Sequence, residues 1–289
     1  MKRIKRMLFS VCLLGMLSFS ACAQPDKINY QSPIGYDFNQ PKVDFIWDVL
    51  HEVSGITFYE EIADTLFAVE DETGTIYRFL PSSKDLKQSK FAKDGDYEGI
   101  AISNGYAIVL KSNGTLYTLA AVELNKEESE HVKEWKDLVP KGEYESLAAS
   151  SKDSLLYVIC KQCSVDKKTK KTTGYRLRLT KAGVPIKDGE FEIDNQEIDA
   201  LNSLNGKDFR PSALARNNRT NEWFILSSIN KLLVVADENW KVKATYPLDP
   251  DLFNQPEGIA FDAQGNLYIS NEGSDKTQKA SLVRFTLIH

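Results

Sequence analysis

The sequence predicts an all-β chain folded as a five-bladed β-propeller of four-stranded antiparallel blades, closed by an N-terminal strand. Three observations predict it. The first is a short unit that recurs five times: Val53-Ser54-Gly55-Ile56, Tyr97-Glu98-Gly99-Ile100, Tyr144-Glu145-Ser146-Leu147, Pro211-Ser212-Ala213-Leu214 and Pro256-Glu257-Gly258-Ile259. The second residues of these units lie 44, 47, 67 and 45 positions apart. Three of those spacings match the length of a propeller blade, while 67 is too short for two blades and marks an insertion. The second observation is the apolar strand pattern after each unit, as in Thr65–Val69, Tyr106–Leu110, Leu155–Ile159, Trp223–Leu226 and Leu267–Ser270. The third is turn chemistry: Asp71-Glu72-Thr73-Gly74 and Ser112-Asn113-Gly114 read as hairpin turns leading into the third strands Gly74–Phe79 and Gly114–Leu119.

The remaining elements follow. Gly174–Leu179 supplies another third strand, and Lys241–Tyr246 is a fourth, more polar, outer strand. The chain stops at His289, soon after the third strand of the fifth blade, so that blade lacks its outer strand. Val43–Trp47, just before the first repeat, is the natural closing strand, because pairing the chain ends leaves no blade edge open.

Ahead of the propeller, Met1–Arg6 carries four basic residues and Met7–Phe19 is apolar, the pattern of a signal peptide. The apolar run, about 13 residues, is shorter than the roughly 20 that span a bilayer. Ser20-Ala21-Cys22 resembles a lipobox, which makes Cys22 the expected lipidation site. Simple secretion starting at Gln24 is the alternative, and both take the protein out of the cytoplasm. The expected organisation is a signal peptide with its lipobox cysteine over 1–22, a tether over 23–42 that holds Pro25, Pro33 and Pro41, and a propeller over 43–289.

The net charge of the whole chain is −5, and the leader contributes only basic residues, so the remainder is more acidic still. That argues against nucleic acid, which needs clustered Lys and Arg. The one basic run, Lys167–Lys171, reads as a solvated hairpin tip. A monomer is expected, touching the membrane only through its lipid anchor.

The Glu-Gly-Ile repeats, the strand Leu267-Tyr268-Ile269-Ser270-Asn271-Glu272 and the N-terminal anchor together resemble the SdiA-regulated domain family, exported bacterial propellers distantly similar to NHL-repeat proteins. The resemblance runs from Phe45 to Ile288 and implies five blades. The segment Lys161–Phe209 and the pair Cys160 and Cys163 depart from it.

Equivalent positions of the repeats form a ring at one mouth of the central channel. That ring presents Glu98, Glu145 and Glu257 in blades two, three and five, and Ser54 and Ser212 in blades one and four. Carboxylates brought so close repel unless a cation or hydrogen-bond donors compensate. Ca2+ suits such an all-oxygen set, and the resemblance implies a bound calcium. The alternative is that each glutamate accepts backbone amides and staples blades together. Glu70, Asp71 and Glu272 fall at the ends of second strands and form a possible second acidic set at the same mouth.

Cys160-Lys161-Gln162-Cys163 has redox spacing but sits in a hairpin rather than at a helix N-terminus, so a local disulfide is expected, with a reduced pair as the alternative. His51, His131 and His289 have no zinc spacing and lie off the channel-lining positions, and no Gly-x-Ser-x-Gly elbow is present. Trp223 is expected in the core, with Trp47, Trp135 and Trp240 as candidates for an exposed platform. Three functions remain open: a cell-envelope binding module holding Ca2+, a calcium-dependent esterase or lactonase, and a metal-free interaction scaffold.

Overall fold

The computed structural model describes residues 28–59, 62–150, 153–274 and 278–288. The leader and Cys22 lie outside them, as does His289. Among the described residues no helix is long and apolar enough to cross a membrane.

The strands form five four-stranded antiparallel sheets. Blade one holds β2 (Val53–Tyr59), β3 (Ile62–Glu70), β4 (Thr75–Phe79) and β5 (Leu86–Lys90); blade two holds β6 (Tyr97–Ser103), β7 (Tyr106–Lys111), β8 (Leu116–Ala120) and β9 (Lys133–Trp135). Blade three holds β10 (Gly142–Ser150), β11 (Leu155–Cys163), β12 (Lys171–Leu179) and β13 (Pro185–Asp194). Blade four holds β14 (Ala213–Asn217), β15 (Glu222–Ser227), β16 (Leu232–Ala236) and β17 (Val242–Pro247). Blade five joins β18 (Pro256–Phe261), β19 (Leu267–Asn271) and β20 (Ser281–Phe285) to β1 (Lys42–Phe45) from the other end of the chain. The closing strand runs from Lys42 paired with Arg284 to Phe45 paired with Ser281, so the expected closure is present, starting and ending slightly earlier than the pattern suggested.

Each blade is apolar on both faces because each face packs on a neighbouring blade. The result is five interblade cores rather than one centre. The core between blades three and four is aromatic: Trp223 stacks on Trp240 at 4.7 Å, and Trp240 on Phe191 at 3.7 Å. Trp240 is therefore core and not part of an exposed platform, a correction to the sequence expectation. Trp47 packs edge-on against Phe79, and Trp135 donates its indole N–H to Thr118 Oγ1 at 2.8 Å.

The expected tether is also corrected. Its last part is folded onto the propeller, because Tyr36 and Phe38 insert into the core between blades four and five and Tyr36 donates its hydroxyl hydrogen to the Gly265 carbonyl at 2.7 Å. The long spacing in blade three comes from its 9- and 10-residue strands and from α1 (Asn195–Leu201). The Asp194 carboxylate caps α1 by accepting the Gln196 N–H, and Glu197 accepts the Val242 N–H at 2.9 Å. The insertion thus covers the seam between blades three and four.

The repeat glycines have a steric reason. A Cβ on Gly55 would stand 2.7 Å from the Gly99 Cα, and one on Gly258 would stand 3.2 Å from the Ile56 backbone nitrogen. The inner strands of neighbouring blades approach backbone to backbone at these positions. Gly55→Ala is expected to lower stability by about 1–3 kcal/mol, the cost of overpacking against atoms that cannot rotate away. A denaturant melt checks it, and an unchanged midpoint would mean that the ring is looser than these distances imply.

Candidate functional site

The innermost strands β2, β6, β10, β14 and β18 line the channel, and the repeat units sit at their N-terminal ends. In four blades the ring residue is the extra residue of a β-bulge. The pairing passes from Tyr97 with Lys111 to Gly99 with Leu110, skipping Glu98. It likewise skips Glu145, Glu257 and Ser54. A bulge breaks the alternation of a strand and re-aims one side chain, and here it lets the preceding residue stay buried between blades while Glu98, Glu145 and Glu257 turn to the axis. Sequence spacing located this ring without showing the bulges that aim it.

Glu98, Glu145 and Glu257 line one small void of about 10 Å³ near the axis, roughly the room of a single water. Two positions further along each inner strand, Ile56, Ile100, Leu147, Leu214 and Ile259 form an aliphatic waist that separates this acidic chamber from the opposite mouth.

Charge in the chamber is unbalanced. Burial, reinforced by Asp96, pushes the Glu98 carboxyl up to about 9. Burial raises Glu257 as well, opposed by hydrogen bonds from Ser228 and Ser212 and by the ammonium groups of Lys161 and Lys231. Burial and the charges of Glu257, Asp71 and Glu52 push Glu272 up to about 8. Burial and contact with Glu52 bring Asp71 up to about 7. Glu145 is buried, with 7% of its surface exposed; one of its oxygens pairs with the Lys161 ammonium, and the other, Oε2, is buried without a partner.

Lys161 was missed as a site residue in the sequence. It stands between the two cysteines, which are joined as the expected disulfide, and reaches back to Glu145 and to Glu143 at 3.4 Å. Its only sequence signal is register: β11 pairs antiparallel with β10, which brings Cys160 opposite Tyr144, so Lys161 follows directly beside the bulged Glu145.

Of the other expected contacts, Glu272 and Asp71 join this electrostatic network, while Glu70 does not offer free oxygens: its carboxylate accepts the Glu72 and Thr73 backbone N–H groups at 3.0 and 2.8 Å and holds the turn. Ser54 donates to the Glu52 carbonyl at 3.2 Å. Ser212 donates to the Pro256 carbonyl at 2.8 Å and also lies against Glu257. His51 is at the chamber end of blade one, against Gly273, and His131 is on an outer loop near Glu123.

The three carboxylates, all oxygen and bordering one ion-sized void, match a hard cation in kind. The unpartnered Oε2 of Glu145 and the raised carboxyls mark a deficit of positive charge. They do not stand drawn together as a finished cage: among the described residues, the one group of three candidate ligands within 4.8 Å of one another is Cys160, Cys163 and Asp166, and its sulfurs are already bonded to each other. The Lys161 ammonium holds the place of a cation beside Glu145. The residues therefore suit a hard cation in kind but not as a finished cage, and Lys161 already stands beside Glu145.

These features define a five-bladed β-propeller with an acid-lined channel end. The chain belongs to the SdiA-regulated family, whose model matches residues 36–274. No protein with a curated description matches it. Among solved structures it is similar in fold to a luciferin-regenerating enzyme, with a TM-score of 0.53 and 12% identity over 86% of this chain and 95% of that one. It is similar also to a glutaminyl cyclase from Myxococcus xanthus, with a TM-score of 0.53 and 14% identity over 86% and 97% of the two chains. The PQQ-bound aldose sugar dehydrogenase from Streptomyces coelicolor gives 0.53 and 13% identity over 86% and 99%. At such identities these likenesses concern the fold alone.

Proposed function

We propose that this protein is a cell-envelope binding propeller that holds Ca2+ in its acidic chamber. The envelope part rests on the leader sequence and Cys22. The cation part is carried by one observation: Glu145 Oε2 is buried, ionisable and unpartnered on the wall of a void that it shares with Glu98 and Glu257. Lys161 pairs with only the other oxygen of Glu145, burial with too little compensating charge is costly, and a divalent ion relieves it for all three carboxylates at once. Glu98, Glu145 and Glu257 would hold the ion, which supplies a fixed positive charge at the channel mouth. The chain's own residues orient it: the bulges fix the carboxylates, and the waist keeps the chamber from opening into the other mouth.

A metal-free scaffold is favoured by a different observation, the Lys161–Glu145 pair, in which the protein carries its own cation. Thermal melts in chelator and in Ca2+ separate the two. The calcium reading predicts a Tm that rises with Ca2+ and does so far less in Glu98→Gln, Glu145→Gln and Glu257→Gln. A Tm indifferent to Ca2+ in the wild type overturns it in favour of the scaffold.

A further inference from the structure

Beyond the aliphatic waist the channel widens into a funnel of about 530 Å³, within the range of small-molecule sites. Its chemistry is opposite to that of the chamber. Arg216 and Arg219 line it, at the end of β14 and in the turn that follows. Arg216 lies over the Trp223 ring at 5.3 Å and donates from Nη1 to Ser150 Oγ at 3.2 Å, while its Nε is buried without a partner. Arg219 is exposed at the rim, and among the described residues neither guanidinium forms a salt bridge.

Three other polar residues of the funnel, Asp262, Asn217 and Asn104, make hydrogen bonds within the fold. Asp262 accepts both the backbone N–H and the side-chain amide of Asn266 at 2.7 Å. Asn217 accepts the Arg219 N–H at 3.0 Å, and Asn104 donates to the Leu179 carbonyl at 3.0 Å while accepting from Ser154. The charged side chains of the funnel are thus two planar cations against the single carboxylate of Asp262, an excess of positive charge above a floor of five aliphatic side chains. Guanidinium is the group that recognises a carboxylate through paired hydrogen bonds.

We infer that the funnel is a binding site for a small carboxylate with an apolar body, its head on Arg216 and Arg219 and its body on the floor of Ile56, Ile100, Leu147, Leu214 and Ile259. The site lies across the waist from the acidic chamber and does not depend on a cation there.

Calorimetry on the purified protein, with octanoate and benzoate as probes and octan-1-ol and octyltrimethylammonium as controls, tests it. Saturable binding of at least one of the two carboxylates, with neither control binding, is expected. Arg219→Gln is expected to weaken that binding by about tenfold, the loss of one charge-assisted hydrogen bond. Arg216→Lys retains charge at the buried position and loses the fork, so it weakens binding without removing it; if Arg216→Gln fails to fold, the exposed Arg219 variant still decides. No heat with either carboxylate, equal binding of octan-1-ol, or unchanged affinity in Arg219→Gln would overturn the inference. Carboxylate binding is expected to be the same in chelator and in Ca2+, so failure here and failure of the calcium reading are distinct results.

Discussion

In chelator, the protein loses stability as the pH rises from about 5 to about 9. The sign follows from the direction of the shifts. Glu98 has an ordinary value of 4.5 and is raised to about 9 in the fold, and Glu272 goes from 4.5 to about 8. Between those limits the folded chain binds more protons than the unfolded one, so stability falls with pH. The contribution is fully present below the unfolded value and is lost as the pH passes through the folded one. Each such group can remove up to about 1.4 kcal/mol per pH unit. The groups facing them set the balance: Asp96, Glu257, Asp71 and Glu52 raise these carboxyls, and Lys161 opposes them. A fall in Tm on the order of 10 °C across the range is expected for a chain of this size. Glu98→Gln removes one of these contributors and flattens the profile. Melts at a series of pH values check this, and a Tm that climbs from pH 5 to 9 would contradict it.

Replacing Lys161 is the second large effect. Its ammonium is the partner of a carboxylate whose side chain is 8% exposed, and removing one member of a buried pair costs about 3–5 kcal/mol because the other charge is left uncompensated. Lys161→Met in chelator is expected to be destabilised by that order at neutral pH. Two outcomes separate this from a general packing defect. The double variant Lys161→Met with Glu145→Gln recovers much of the loss, since the pair is coupled. Added Ca2+ also restores the single variant and binds it more tightly than it binds the wild type, because the competing ammonium is gone. A single variant as stable as the wild type would mean that Lys161 is not the internal counter-ion.

The blade count, the strand order and the closure were all legible in the sequence because each has a local signature. The Glu-Gly-Ile unit repeats at blade length, the glycines mark backbone contacts, and turn residues bound the hairpins. The ring of Glu98, Glu145 and Glu257 was legible as an equivalence between repeats. What the repeats could not display was the register. Whether Glu98 continues the alternation of its strand or bulges out of it depends on its pairing with Lys111 and Leu110, and the same holds for Glu145.

Lys161 was hidden for the same reason. Sixteen residues separate it from Glu145, and only the β10–β11 pairing makes them neighbours. Trp240 was misread because an aromatic at a turn looks exposed until the insertion with α1 covers it. Tyr36 and Phe38 were misread because prolines around them suggest a tether, whereas their side chains complete an interblade core. The funnel was illegible because Arg216 and Arg219 follow the repeat unit of a single blade and have no counterparts at the same place in the others.

A cation that enters the acidic chamber must displace the protons of its raised carboxyls. Calcium titration by calorimetry at neutral pH, repeated in two buffers of different protonation heat, measures that exchange directly. Because Glu98 and Glu272 are raised above neutrality, saturable binding that releases about one proton or more per ion is expected, with the release reduced in Glu98→Gln. Saturable binding with no proton release would place the ion elsewhere on the molecule, and the absence of binding would leave the chamber to the chain's own ammonium groups, Lys161 and Lys231.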